Sequence, residues 1–286
     1  MKLSVIIVSW KVRDKVKNNL ISLFKSKTDF AWEVFVVDNN SGDGTVAMIK
    51  ENFSQVKLIS NQDNVGFARA NNQAIKVAQG EFVLLLNPDM LVQADTLSKM
   101  VAWLEAKPEA WVAGCHLVDE QGQTIPQVRH FPGFLDQLAV AAKVAHIYPA
   151  VLNKYLRQDF DYNTEAKVDS IRGSFFMIRR ECLKKIGLLD ERFFVWFEEV
   201  DYCRRVAEAG GEVWYTSVTS AVDLIGQSFS QWTTTRAQKI FAESQIKYWQ
   251  KWHPLWQVIL LRLGWLVGKA LVALANLFKV TSKAKT

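Results

Sequence analysis

Three acidic side chains crowd one short stretch of the sequence, Glu198-Glu199-Val200-Asp201. A carboxylate held beside a hydroxyl group can accept its proton while the hydroxyl oxygen attacks another atom, which is general base catalysis. Acids in the first turn of a helix are also favoured by the helix dipole alone. The stretch is therefore consistent with a catalytic base and with an ordinary acidic helix start.

Polar clusters follow three apolar, β-rich runs in the first third of the chain. Ser9 ends the first run, Asp38-Asn-Asn-Ser41 ends the second, and Asn87-Pro-Asp89 ends a later one. Each cluster alone could be a plain turn. Three clusters after three strands of one sheet favour a binding site, and the carboxylate of Asp89 is a ligand type that Mg²⁺ or Mn²⁺ accepts.

The elements that must position these residues alternate along the chain. Apolar runs alternate with stretches of helical periodicity, such as the one carrying Val16, Leu20 and Leu23. This order predicts an α/β fold with a parallel sheet covered by helices on both faces, and ligands bind at the carboxyl edge of such sheets. The predicted strands are 3–9, 32–37, 56–59, 81–86, 111–115, 175–178 and 213–216, and the predicted helices are 12–26, 45–53, 65–78, 93–106, 198–210 and 233–252.

Charge is unevenly distributed over the 286 residues. The chain has 35 Lys and Arg against 29 Asp and Glu, but six of the basic residues and no acid lie from Lys251 onward. The preceding part is balanced, which argues against a nucleic-acid partner and leaves a basic tail suited to an anionic surface. Three cysteines without a CxxC pair indicate neither a disulfide framework nor a zinc site, and no secretory signal is evident, so we expect a cytoplasmic protein.

Five ordered segments resemble the family 2 glycosyltransferases with the GT-A fold, and within them the rhamnosyltransferase-like branch. The segments are Ile6-Ile-Val-Ser-Trp10, Val36-Val-Asp-Asn-Asn-Ser41, Asn64-Val-Gly-Phe-Ala-Arg-Ala-Asn-Asn72, Leu85-Leu-Asn-Pro-Asp89 and Phe193–Arg204. The resemblance implies a Rossmann-like, mostly parallel sheet flanked by helices. It also implies inverting transfer of a sugar from a nucleotide diphosphate to a hydroxyl group. The implied organisation is a GT-A domain over 1–230, with a nucleotide-sugar part (1–118) and an acceptor and catalytic part (119–230), followed by a helical region (231–286).

The same resemblance assigns residues to the nucleotide. Asp38 would accept a hydrogen bond from the imide N–H of uracil or thymine, because a carboxylate matches that donor. Asn40 and Ser41 would support the base and ribose, and Ser9 lies at the same edge.

Further donor-site residues are implied on two other segments. Gly66 would let the backbone approach the nucleoside or sugar closely, and Asn64 and Asn72 would offer amide groups. Arg172 and Gly173 match the segment that lines the donor sugar, diphosphate and acceptor.

The metal motif departs from the family pattern. The family carries Asp-x-Asp at the end of this strand, and here Asn87 replaces the first acid while Asp89 is retained. Asp223 stands where the family often has a histidine, in the segment Val222–Ser228, and could compensate as an oxygen ligand. The resemblance therefore implies a divalent cation, Mg²⁺ or Mn²⁺, at Asp89 and Asp223.

The resemblance also assigns the catalytic base. The family pattern is Glu-Asp-x-Asp with the second acid as the base, and Glu199 occupies that position. Asp201 is the alternative base or a positioning group, and Glu198 is the third candidate.

The region from Leu255 to Phe278 is apolar, with Arg262, Lys269 and Asn276 at seven-residue intervals. A helix of this composition could lie in the membrane interface, pack on protein or span a bilayer. An amphipathic interfacial helix followed by Lys279, Lys283 and Lys285 predicts peripheral attachment to the cytoplasmic face of the inner membrane. A lipid-linked saccharide would then be the natural acceptor, and Phe134–Leu156 could add a second apolar contact.

Alternatives remain open on these data. The donor could be dTDP-L-rhamnose or a UDP-hexose, because Asp38 does not separate thymine from uracil. A nucleotidyltransferase would need a Gly-rich phosphate loop after the first strand, which Ser9–Asp14 does not provide. A noncatalytic sugar-nucleotide-binding subunit is a further alternative because of Asn87.

Overall fold

A computed structural model describes residues 1–224 and 233–283. The strands are β1 (Leu3–Ser9), β2 (Trp32–Asp38), β3 (Lys57–Ser60), β4 (Phe82–Leu86), β5 (Met90–Val92), β6 (Ala110–Val118), β7 (Val128–Arg129), β8 (Ala166–Val168), β9 (Ser170–Ile171), β10 (Phe175–Arg179) and β11 (Glu212–Asp223). The α-helices are α1 (Arg13–Phe24), α2 (Thr45–Asn52), α3 (Phe67–Ile75), α4 (Thr96–Glu105), α5 (Phe134–Ala141), α6 (Arg180–Ile186), α7 (Glu198–Glu208), α8 (Thr234–Trp252) and α9 (Leu255–Lys283).

The central sheet has the strand order β3-β2-β1-β4-β10-β6-β11-β5, and β8 pairs with β11 at the side. Strands β3, β2, β1 and β4 run parallel, as do β6 and β11, while β10 lies antiparallel between β4 and β6. Strands β7 and β9 form a separate two-stranded sheet. The predicted α/β fold with a mostly parallel sheet flanked by helices is thereby confirmed.

Both faces of the sheet are buried by apolar residues. Along β1, Leu3, Val5 and Ile7 belong to one core cluster, whereas Ile6 and Val8 belong to the cluster on the opposite face. The run Val5–Val8 in β1 is therefore continuously apolar, as expected of a strand covered on both sides.

The predicted elements agree with the structure except where pairing depends on distant residues. Strand β11 is longer than the predicted 213–216, because its first part pairs with β6 and β8 and its last part with β5. The predicted helix 93–106 begins only at Thr96, since Met90–Val92 forms β5. The predicted domain boundary at 230 and residues 225–228 of the predicted ligand segment lie outside the described residues.

The C-terminal helices pack against the body of the protein. Val258, Leu261 and Trp265 of α9 are buried in a cluster with Phe193 and Phe197. Gly264 and Gly268 let α9 approach α5 closely, because an added Cβ would overlap Leu138 and the Ala141 carbonyl group. The side of α9 turned away from this contact is exposed and largely apolar, with Leu263 and Leu266 beside the basic residues Arg262 and Lys269.

Candidate active site

A cavity of about 370 Å³ lies at the carboxyl ends of β1, β2 and β4, within the size range of small-molecule sites. Residues just beyond these strands line it: Trp10, Asn39 and Asn87. The opposite wall comes from the segment before α7 and from α7 itself, including Trp196, Glu198 and Glu199. The candidate nucleotide edge and the acidic stretch therefore share one cavity.

Side chains alternate between the two faces of a strand, and this alternation determines which polar residues line the cavity. In β2, Phe35 and Val37 point to the face that also carries Ile6 and Val8, and Asn39 continues that alternation. Asp38 is one residue out of phase and does not appear in the cavity wall. Asn39, a residue that the sequence analysis did not single out, is the one on the wall.

The predicted nucleotide residues after β1 and β2 instead stabilise the turn beneath the cavity. The buried carboxylate of Asp38 accepts hydrogen bonds from the backbone N–H of Ser41, at 3.0 Å, and from the Ser41 hydroxyl group. The Asn40 amide donates to the Gln62 carbonyl group at 2.6 Å. Ser9 is buried, and its Oγ has no hydrogen-bond partner among residues 1–224 and 233–283. None of these four predicted residues lines the cavity.

The beginning of the predicted segment 64–72 lines the cavity, whereas its end packs elsewhere in the protein. Asn64 and Gly66 line the cavity, and the Asn64 side chain accepts the Gly66 N–H at 3.0 Å. Asn72 is buried elsewhere: its amide nitrogen donates to the Leu189 carbonyl group at 2.8 Å, and its amide oxygen accepts the Leu189 N–H at 3.1 Å. The side chain of Asn72 thus ties α3 to a distant loop.

Glu198 and Glu199 bring two carboxylates to the cavity at the start of α7. The Oε2 atom of each is buried without a hydrogen-bond partner in the part of the chain that the structure describes. Burial raises the pKa of Glu198, and the neighbouring Glu199 raises it further. Burial also raises the pKa of Glu199, but Arg129 and Arg172 act in the opposite direction. The environment therefore favours Glu199 as the carboxylate that ionises first.

The two arginines come from neighbouring short segments. Arg129, which the sequence analysis did not select, ends β7 and pairs in register with Ser170 of β9. Arg172 and Gly173 follow β9 directly, and all three line the cavity. A Cβ built on Gly173 would lie 3.6 Å from the Cβ of Glu199, so the backbone of this segment passes close to the carboxylate.

Asp201, the alternative base, is placed away from the cavity. Its fully buried carboxylate is held by Arg205, Lys251 and Trp252, at 2.7 to 3.0 Å. Asp201 does not line the cavity. Its oxygens are engaged by two cations and an indole N–H, an arrangement that fits the positioning role rather than the role of a base.

Asp89 and Asp223 lie next to each other although 134 positions separate them in the sequence. Asp223 pairs in register with Met90, and the N–H of the following residue, Leu224, donates to the Asp89 carbonyl group at 3.0 Å. Burial raises the pKa of Asp223, Arg172 lowers it and Asp89 raises it again. Arg172 approaches Asp223 to 3.7 Å.

These two carboxylates fit a divalent cation only in part. Both are buried, both are oxygen ligands, and their mutual repulsion would be relieved by a cation. The described residues contain no group of three or more His, Cys, Asp or Glu side chains that could hold a metal ion. A cation here would need further ligands from the bound substrate.

Helix α8 contributes a residue that the sequence analysis did not connect with the site. Phe241 lines the cavity, and its ring centroid lies 5.9 Å from that of Trp196 and 5.4 Å from that of Phe197. Aromatic side chains thus form the wall near the acidic pair, opposite the polar strand ends.

Comparison with known proteins gives a consistent assignment. The family described as Glycosyl transferase family 2 matches residues 4–187. The N-acetylglucosaminyl-diphospho-decaprenol L-rhamnosyltransferase of Mycobacterium tuberculosis is 26% identical over 220 residues, which cover 73% of this chain and 71% of that protein. The rhamnosyltransferase WbbL of Escherichia coli is 25% identical over 226 residues, which cover 76% of this chain and 81% of that protein. The uncharacterised glycosyltransferase YfnE of Bacillus subtilis is 34% identical over 116 residues, which cover 40% of this chain and 30% of that protein. This chain therefore spans less than a third of the length of that relative.

A solved structure supports the fold independently. The mannosyltransferase PcManGT from Pyrobaculum calidifontis, in complex with GDP-Man and Mn²⁺, superposes with a TM-score of 0.59 at 18% identity, covering 100% of this chain and 81% of that one. At this identity the likeness establishes the fold alone.

Proposed function

The chain belongs to glycosyltransferase family 2 and has the GT-A fold, and from this premise we propose that it transfers L-rhamnose from dTDP-rhamnose to a hydroxyl group of a lipid-linked saccharide in cell-surface polysaccharide synthesis. The names of two relatives, both rhamnosyltransferases and one acting on a diphospho-decaprenol acceptor, support this choice of donor and acceptor. A UDP-hexose donor is the alternative within the same fold.

One observation carries the proposal: Glu199 shares a cavity with the residues beyond the parallel strands. Asn39, Gly66 and Asn87 supply the side where a nucleotide sugar would bind, and Glu199 lies on the wall formed by α7. A site that only bound a sugar nucleotide would not need two adjacent carboxyl groups on the opposite wall, each with a buried Oε2 atom that has no hydrogen-bond partner among the described residues.

In the proposed reaction, the acceptor hydroxyl oxygen attacks the anomeric carbon while Glu199 accepts the hydroxyl proton. The bond between the anomeric carbon and the diphosphate oxygen breaks, and its electron pair leaves with the nucleotide diphosphate. A single displacement of this kind inverts the anomeric configuration. Burial and the neighbouring Glu199 raise the pKa of Glu198, which makes Glu199 the member of the pair that we propose as the ionised base.

Asp89 and Asp223 are the residues that would hold a divalent cation. Neither lines the cavity, but Asn87, two residues before Asp89, and Arg172, which approaches Asp223, do. When bound, Mg²⁺ or Mn²⁺ would neutralise charge on the diphosphate leaving group. Arg172, within 3.7 Å of Asp223, supplies a second positive charge on the same side.

The location we propose is the cytoplasmic face of the inner membrane. Within α9, the segment Leu255–Leu274 has a mean hydropathy of 1.7, and by length and composition it could cross a bilayer. Its buried side already packs on α5 and α8, which supports attachment through the exposed side, where Leu263 is 50% and Leu266 is 62% exposed. On α5, which packs against α9, Leu135 is 75% exposed and would add to that surface.

A donor screen tests the proposed reaction. Purified protein is incubated with dTDP-rhamnose or UDP-hexoses, Mg²⁺ and a polyprenyl-diphosphate-linked N-acetylglucosamine, and the products are identified by mass spectrometry. We expect transfer from dTDP-rhamnose. Transfer only from a UDP-hexose would replace the donor assignment, and donor binding without any transfer would favour the noncatalytic alternative.

Flotation on anionic liposomes tests the proposed location separately. Leu263→Asp combined with Leu266→Asp should abolish flotation while leaving the buried side of α9 intact. The matched control is Val77→Asp, which charges a side chain 56% exposed outside this surface. Equal flotation of the double variant and the control would remove the membrane proposal without affecting the donor screen.

A further inference from the structure

Helix α8 runs beside the segment that leads into the two cavity carboxylates and holds its backbone. The Ser244 hydroxyl group donates to the Val195 carbonyl oxygen at 2.8 Å, and the Lys247 ammonium group donates to the Arg192 carbonyl oxygen at 2.7 Å. Two backbone carbonyl groups of this segment are therefore held by side chains from one helix.

The end of α8 also holds the beginning of α7. Lys251 Nζ lies 2.7 Å from Oδ1 of Asp201 and 2.9 Å from Oδ2, and Trp252 Nε1 donates to Oδ1 at 2.8 Å. Asp201 is fully buried, two residues after Glu199. Arg205 of α7 and Lys251 of α8 are the two cations on this carboxylate, and only Lys251 ties it to another helix. Removing one partner of a buried ion pair is costly, so the Lys251 contact constrains α7 more than a surface ion pair would.

The turn between these two contacts has an unusual backbone conformation. Trp196 and Phe197 both have positive φ angles, 67° and 70°, immediately before Glu198. Two consecutive side-chain-bearing residues rarely adopt this region, and such turns persist only where the surroundings hold them. Here Phe197 packs on Phe241 and Tyr248 of α8, with ring centroids 5.4 and 5.5 Å away.

We propose that Lys251 and Trp252 are positioning residues for Glu199: by binding Asp201 they hold the Trp196–Phe197 turn and aim the start of α7 into the cavity. This inference rests on the proposed function of Glu199 as the base. It makes α8 a part of the catalytic unit rather than a separate membrane appendage, because one helix supplies both the aromatic wall and the support of the carboxylates.

The test uses the full chain and compares four variants. Lys251→Met removes the charge, Lys251→Arg restores it, and Trp252→Phe removes only the indole N–H donor. Lys239→Met is the matched control, since it removes an exposed lysine from the same helix at a distance from Asp201. For each variant we measure kcat, KM for the donor, and amide hydrogen exchange of residues 193–203.

We expect Lys251→Met to lower kcat at least tenfold with KM for the donor within twofold of wild type, and Lys251→Arg to recover most of the loss. Trp252→Phe should lower kcat by a smaller factor. Amides 193–203 should exchange faster in Lys251→Met but not in Lys239→Met.

Unchanged kcat, or unchanged exchange of 193–203, in Lys251→Met would overturn the inference. So would a rise in KM for the donor that accounts for the whole change in activity, because the contact would then serve donor binding rather than the position of the base. If the wild-type protein transfers no sugar, the proposed function fails, while the exchange measurement still decides whether α8 holds the turn.

Discussion

The carbonyl oxygen of Phe194 occupies the space that a side chain at Gly66 would need. A Cβ built on Gly66 would lie 2.6 Å from this oxygen, and the N–H of the next residue, Phe67, donates to the same oxygen at 2.6 Å. The loop on the nucleotide side of the cavity is thereby joined to the segment that carries the acidic pair. This close approach fixes the distance between the two walls of the cavity at this point.

Gly66→Ala should therefore disturb both stability and turnover. Gly66 has a φ of 89°, so alanine adds backbone strain to the clash, for an expected loss of roughly 2–5 kcal/mol in the free energy of unfolding. Gly42→Ala is the matched control, because Gly42 has a φ of 63° with nothing within 4 Å of an added Cβ, and should cost only about 1–2 kcal/mol. Denaturant unfolding measures the stability of the two variants, and steady-state kinetics measures their turnover. Equal losses of stability in Gly66→Ala and Gly42→Ala would show that the contact with Phe194 does not add to the cost of the substitution.

Glu199→Gln should abolish most of the turnover without weakening donor binding. General base catalysis contributes about 10²–10⁴-fold to rates, so we expect kcat to fall by a factor in that range. Glu208→Gln, an exposed position at the other end of α7, controls for loss of an acid from the same helix. Steady-state kinetics and titration with the nucleotide diphosphate measure the two effects. A Glu199→Gln variant with wild-type kcat would remove this residue from the mechanism.

The strands that end at the site can be predicted from the sequence, but the face of the sheet on which the site lies cannot. Both faces of β1, β2 and β4 are apolar, so the alternation of side chains carries no polar signal to distinguish them. Asp38 was assigned to the nucleotide by resemblance, and its neighbour Asn39 is the residue in phase with the cavity-facing side chains. Only the position of α7 over one face decides between them, and that is a tertiary feature.

Residues from distant segments were missed for a related reason. Arg129 lies in a two-residue strand whose pairing with Ser170 spans 41 positions, and no local periodicity predicts it. Phe241 belongs to a helix that was predicted correctly, but its place in the cavity wall depends on how α8 packs against Phe197. The contact between Asp89 and Asp223 likewise depends on the pairing of β5 with β11.

Removing Arg129 should shift the pH dependence of turnover. Burial raises the pKa of Glu199, and Arg129 is the first of two cations that oppose this effect. A general base works in its ionised form, so kcat/KM rises as the pH passes upward through the pKa of Glu199 and is lost as the pH falls through it. Arg129→Met should move the acidic side of the profile of kcat/KM against pH to higher pH. Arg129→Lys should move it less because the positive charge remains. Superimposable profiles for the wild type and Arg129→Met would contradict the assignment.

Asp223→Asn and Asp89→Asn should both weaken the binding of the divalent cation that we propose at these two residues. Each substitution removes one of two adjacent buried carboxylates, and a hard cation loses affinity with each charged oxygen ligand. We expect the Mn²⁺ concentration for half-maximal activity to rise about tenfold or more in either variant, and chelation with EDTA to stop turnover in the wild type. Electron paramagnetic resonance of Mn²⁺ in the presence of the nucleotide diphosphate measures binding directly, with the exposed Asp63→Asn as the control. Because Asn87 leaves the family motif with a single acid, the loss of Asp223 should lower Mn²⁺ affinity nearly as much as the loss of Asp89. An unchanged Mn²⁺ affinity in Asp223→Asn would mean that Asp89 and the substrate diphosphate hold the cation without it.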